Sequence, residues 1–166
     1  MIRVASIAEL GSEPLSRLES YWLEKRGSRP LPARADLDPA DIKDLLPQII
    51  LTRIEHDPLR VKYTVVGTAS AKAAGFDYTG RYLDELAFDS EVDTDWPAIY
   101  RELVREKKPI AGVCQFKLRA VARPYRVAVF PLSSDGVLVD HAISYEHLNL
   151  NLLELDQILP VKPRRD

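Results

Sequence analysis

The stretch Val61–Leu86, VKYTVVGTASAKAAGFDYTGRYLDEL, limits what this chain can fold into more than any other. Val61, Tyr63 and Val65 alternate with Lys62, Thr64 and Val66, which is the period of a strand, and the alternation stops at Gly67. The alanine-rich segment Thr68 to Ala74 that follows is too short to hold a helix by itself. Gly75, the turn Phe76-Asp77-Tyr78-Thr79-Gly80 and the apolar pair Leu83 and Leu86 complete the stretch. A strand that bends sharply, a marginal helix and two large rings beside it require the helix to pack across the mouth of a sheet. A cavity between helix and sheet is then the natural place for a ligand.

The chain has 166 residues, 46% of them hydrophobic, enough for one domain with a proper core. With 23 Lys and Arg against 25 Asp and Glu, the net charge of −2 gives no electrostatic reason to expect nucleic acid. The basic cluster Lys162-Pro163-Arg164-Arg165 reads as a solvated chain end. Cys114 is the only cysteine, so no internal disulfide can form and a reducing compartment is expected. No apolar run has the length of a signal peptide or a membrane span. These features predict a soluble cytoplasmic protein.

Ser12 and Pro14 open a helix that Gly27 closes, with Leu15, Leu18 and Trp22 as a narrow apolar stripe. Such a stripe must dock on the domain or on a partner. Asp38-Pro39 starts a second helix, buried through Ile42, Leu45 and Leu46 and stopped by Pro47. Gln48–Glu55 and Leu59–Val66 read as a hairpin turned by His56-Asp57-Pro58. Trp96, Ile99, Tyr100, Leu103 and Val104 recur as the cleanest amphipathic helix of the chain. Ile110–Leu118, Arg123–Leu132 and Val137–Tyr145 form an antiparallel meander, with Ser133-Ser134-Asp135-Gly136 as a turn. Leu152, Leu155 and Leu159 form a last stripe at helical spacing, again wanting a partner.

This order of elements resembles a PAS domain. More narrowly, it is similar to a family of stand-alone bacterial PAS-like proteins of unknown function. The residues that carry the likeness are Tyr21-Trp22 with Arg26-Gly27, Leu31-Pro32-Ala33-Arg34-Ala35-Asp36 before Asp38-Pro39, and Leu45-Leu46-Pro47. Asp57-Pro58, Tyr63, Val66-Gly67-Thr68, Thr79-Gly80 and Pro131-Leu132 extend it, so that it spans roughly Leu18 to Tyr145. The resemblance implies an α+β fold: a five-stranded antiparallel sheet in the order 2-1-5-4-3, helices on one face, and extra N-terminal helices. One PAS-like domain is expected over 1–166, with a helical extension at about 12–47, a core at about 48–146 and a tail at about 147–166. PAS domains bind small ligands or cofactors, or pair with other domains, and pass a signal on. No effector pattern follows Tyr145.

The chemistry visible in the sequence is sparse. His56, His141 and His147 form no metal-ligand spacing and read as ordinary surface or edge histidines. The flavin-adduct motif of one PAS relative is absent around Cys114, which reads as a small core residue in a strand. No haem or flavin signature is found, and the cofactor stays unassigned. Acids such as Asp84-Glu85 read as solvated, and Arg81, Arg119, Arg123 and Arg126 as surface cations or a welcome for an anion. No nucleophile elbow, phosphate loop or acid–base pair suggests an enzyme.

Aromatic residues are the most informative set. The expected ligand-binding residues are Phe76, Tyr78, Trp96, Tyr100, Phe116 and Phe130, pointing between the helices and the sheet. Tyr63, Val65, Ile99, Leu103 and Val129 should wall that space. The same rings can instead fill a core. A bulge near Gly67 or Pro124 would change which strand residues face inward. The sequence therefore supports a cytoplasmic PAS-like sensory or regulatory module that binds a small molecule, with no membrane or nucleic-acid partner. The alternative is an interaction or dimerisation module with a self-filled pocket. A homodimer that buries Leu15, Leu18 and Trp22, together with Leu152, Leu155 and Leu159, or a partner signalling protein is expected; the alternative is that these stripes pack on the chain's own sheet.

Overall fold

A computed structural model describes residues 1–86, 91–92, 94–118 and 121–148. Helix α1 (Glu13–Arg26) begins where Ser12 Oγ accepts the Leu15 N–H and ends at Gly27, whose φ is +55°. Strands β2 (Ile49–Glu55) and β3 (Arg60–Val66) form the expected hairpin, followed by α2 (Thr68–Ala74). Helix α3 (Trp96–Glu106) is capped by Asp95, whose carboxylate accepts the Ala98 N–H at 2.9 Å. Strands β5 (Ile110–Leu118), β6 (Val121–Leu132) and β7 (His141–His147) then complete the main sheet.

These five strands lie in the order β5-β6-β7-β2-β3, which is the 2-1-5-4-3 arrangement, and every pairing is antiparallel. The sheet is larger than the five strands expected. Two further two-residue strands, β1 (Ile2–Arg3) and β4 (Glu91–Val92), pair end to end along the outer edge of β5. At the other edge, Tyr63 N–H donates to Arg81 O and Gly80 N–H to Tyr63 O, so the segment after α2 lies along β3. Both edges are thus occupied for part of their length, which blunts edge-to-edge association.

Helical elements cover both faces. On one face α1 packs through Leu15, Leu18 and Trp22, exposed to 0%, 0% and 3%. Trp22 donates its indole N–H to Pro131 O at 2.9 Å, and its ring lies 6.0 Å from that of Phe130. The apolar stripe expected to hold a homodimer together is therefore used within the chain. The second stripe, Leu152, Leu155 and Leu159, lies outside the described residues.

Two elements differ from expectation for identifiable reasons. The helix expected from Asp38 to Pro47 is instead two 3₁₀ turns, Pro39–Ile42 and Leu46–Gln48. Ile42 and Leu45 are buried as expected, but Leu46 is 37% exposed. The last strand begins at His141 rather than Val137. Asp135 captures the N–H groups of Val137 and Leu138 at 2.7 and 2.8 Å, and holds them in a loop before the ladder resumes.

Candidate functional site

The site is built where α2 and α3 meet the sheet face opposite α1. Strand parity defines that face: Ile50 pairs with Ser144, Val127 with Gly112, Val129 with Ser144 and Ile110, and Tyr125 with Cys114. Tyr63, Tyr78, Trp96, Tyr100, Phe116 and Tyr125 surround a cavity of about 40 Å³ there, together with Ile50, Ser70, Ala73, Ala74, Ser144, Glu146 and Leu148. At roughly 10–15 Å³ for each water, this space holds about three waters or one small polar molecule.

Packing explains why so little space remains. Tyr63 and Tyr78 meet edge to face with centroids 4.7 Å apart, and Phe76 lies 5.7 Å from Tyr78. Trp96 and Tyr100 are 6.4 Å apart on α3, and Phe116 and Tyr125 are 5.8 Å apart across the β5–β6 pair. Small residues on α2, Ala73 and Ala74, let that helix approach the rings. Ser70 is the polar member of its buried side, 1% exposed, and its hydroxyl has no hydrogen-bond partner among the described residues. Thr52 Oγ1, on the same sheet face, is likewise buried without one.

Five of the eleven residues expected from sequence line this cavity: Tyr63, Tyr78, Trp96, Tyr100 and Phe116. Phe76 packs beside Tyr78 at its border, and Ile99, Leu103 and Val129 belong to the surrounding core. Val65 and Phe130 lie on the other face. For Val65 the cause is a bulge: the register with β2 shifts between Leu51 and Thr52, so Leu51 pairs with Val65 while Thr52 pairs with Tyr63. Phe130 pairs with Ile143 and packs against Trp22. The cavity residues missing from the sequence reading are Ile50, Ser70, Ala73, Ala74, Tyr125, Ser144, Glu146 and Leu148. Among them Ser70 stands out in the sequence as a hydroxyl set between Ala69 and Ala71.

The histidines lie elsewhere. His56 Nε2 is 2.9 Å from Val139 O, His141 Nδ1 is 2.9 Å from Asp140, and His147 Nδ1 is 2.6 Å from Ser12 Oγ at the start of α1. Burial, and then the charge of Arg126, lower the His147 pKa below its ordinary value. Among the described residues no group of three or more His, Cys, Asp or Glu could hold a metal ion. Cys114 is buried in β5. No helix among them is long and apolar enough to cross a membrane.

A family model for the PAS domain matches residues 10–135. The chain belongs to the PAS domain family. No curated protein matches it. Among solved structures, this PAS domain is similar to an RNA-binding Light-Oxygen-Voltage receptor, at 17% identity and a TM-score of 0.48 over 74% of this chain and 36% of that one. It thus spans little more than a third of that receptor's length. It is also similar to the PAS domain of an HTR-like protein from Haloarcula marismortui, with 13% identity, 79% and 97% coverage and a TM-score of 0.41. The PAS domain of Bordetella pertussis BvgS matches at 19% identity, 75% and 92% coverage and a TM-score of 0.36.

Proposed function

We propose that this PAS domain is a cytoplasmic sensory or regulatory module whose input is a small polar molecule held between α2, α3 and the sheet, and whose output goes to a partner protein. The observation that carries this reading is Ser70. An unpartnered hydroxyl at 1% exposure costs about 1–3 kcal/mol, a cost that a hydrogen-bonding ligand removes. The rings around it offer an apolar body and phenolic edges, the mixture that fixes the orientation of a small ligand.

The experiment is native mass spectrometry of the purified chain, followed by thermal melts with small hydroxy acids, amino acids and polyols. A stabilising compound should lose at least about tenfold in affinity in Ser70→Ala, the loss of one good hydrogen bond. The unliganded variant should melt at or above the parent. A compound that stabilises both proteins equally would remove Ser70 from the site. The small cavity favours one second reading, an interaction module whose pocket its own rings have filled. No retained mass and no stabilising compound would leave that reading standing.

A further inference from the structure

A recess larger than the inner cavity lies on the face that carries α1. It is a groove of about 450 Å³ between the sheet and the two 3₁₀ turns Pro39–Ile42 and Leu46–Gln48. That volume falls within the range of roughly 300–1,000 Å³ typical of small-molecule sites. Its lining differs in kind from the inner cavity. Ile49, Leu51, Val65 and Ile143 of the sheet face Leu37 and Leu46, and no aromatic residue lines it. Nothing there stacks on a planar ring, whereas branched aliphatic walls suit a flexible hydrocarbon.

Charge narrows the occupant further. Arg34 and Lys43 are the charged residues of the lining, and no carboxylate belongs to it. Neither side chain makes an ion pair or hydrogen bond among the described residues, whereas nearby Arg17, Lys25 and Arg29 are each paired with a carboxylate. The groove is also preformed at one end. Gly67 N–H donates to Ile49 O at 2.8 Å, and the Gly67 backbone sits tightly against the Leu46 and Pro47 carbonyls. We propose that this groove binds a free amphipathic carboxylate, its alkyl chain along the aliphatic floor and its anionic head at Arg34 and Lys43. A guanidinium and an ammonium together suit a carboxylate head through charge-assisted hydrogen bonds.

Calorimetry on the full chain with decanoate and with decan-1-ol, both below their aggregation thresholds, tests the assignment. Decanoate should bind saturably at one site. The double variant Arg34→Gln, Lys43→Gln should weaken decanoate about tenfold and leave decan-1-ol unchanged, since only the anion meets the cations. Val65→Glu, at a position 42% exposed, should abolish both while melting within about 2 °C of the parent, as exposed substitutions do. Absence of saturable binding, or binding indifferent to all three substitutions, would overturn the proposal. Equal loss of decanoate and decan-1-ol in the double variant would overturn the role of the cations. Two further results assign the groove to another occupant and also overturn it. One is a dimer that Val65→Glu converts to monomer without any decanoate uptake. The other is decanoate uptake only after Leu152→Glu and Leu155→Glu, which points to the chain's own C-terminal segment.

Discussion

Gly67 joins the hairpin to α2 and sits tightly against the Leu46–Gln48 turn, and Gly67→Ala tests that packing directly. Its φ of −62° and ψ of 149° are open to any residue, so alanine brings no backbone strain. The cost is steric. A Cβ there would stand 2.4 Å from Pro47 O and 2.5 Å from Leu46 O, and ordinary contact begins near 3.4 Å. The Leu46–Gln48 turn must therefore retreat by about 1 Å, or the strand-to-helix junction must move by the same amount.

Overpacking of this kind costs about 1–3 kcal/mol. For a chain of this size each kcal/mol lowers Tm by about 2–4 °C, which gives a fall of about 2–12 °C. Thermal melts by circular dichroism measure it, and urea titration should show a lower midpoint with the slope unchanged. Gly75→Ala is the control, because no atom lies within 4 Å of its Cβ position while φ is +82°. That variant bears a torsional cost of about 1–2 kcal/mol and should leave the Leu46–Gln48 turn in place. Hydrogen exchange at the Gly67 and Ile49 amides should rise selectively in Gly67→Ala. A Gly67→Ala protein that melts within about 1 °C of the parent would refute the close approach.

Trp22→Ala should cost about 3–5 kcal/mol, because it deletes a buried ring and its hydrogen bond to Pro131 O; urea unfolding measures it. His147 binds its proton less readily in the native state than its ordinary pKa of 6.5 implies, so below about pH 6.5 the unfolded chain gains a proton first. Stability should then fall with pH by at most about 1.4 kcal/mol per unit from this residue, and His147→Asn should flatten that stretch of the stability–pH curve. Tyr145 is pushed up to about 12, first by burial and then by the nearby acids Asp44 and Glu13, so an ultraviolet titration should find its phenol still protonated at pH 11.

Helices and long strands were legible because local chemistry marks them. Ser12 and Gly27 bound α1 as the capping hydroxyl and the glycine backbone dictate. The strands β1 and β4 were not legible, since two residues carry no period and their pairing with β5 is wholly long-range. Around Leu46 the spacing of Ile42, Leu45 and Leu46 fits one helix and a pair of 3₁₀ turns alike. The groove depends on that difference, because in the 3₁₀ form Leu46 opens onto it instead of joining the core.

The inward and outward residues of the sheet pose a harder problem, and β6 shows why. Its residues from Tyr125 to Leu132 are apolar or small apart from Arg126, because α3 covers one face of this central strand and α1 the other. A strand buried on both sides has lost the polar alternation from which facing is ordinarily read. Val129 and Phe130 are then equivalent in sequence, and only their partners separate them. Val129 opposes Ser144, which lines the inner cavity, while Phe130 opposes Ile143, which lines the outer groove. The same logic governs β3, where polar Lys62 and Thr64 do supply an alternation but one bulged residue inverts it beyond Tyr63. Facing in this fold is a property of strand pairs, and it becomes readable once register is known.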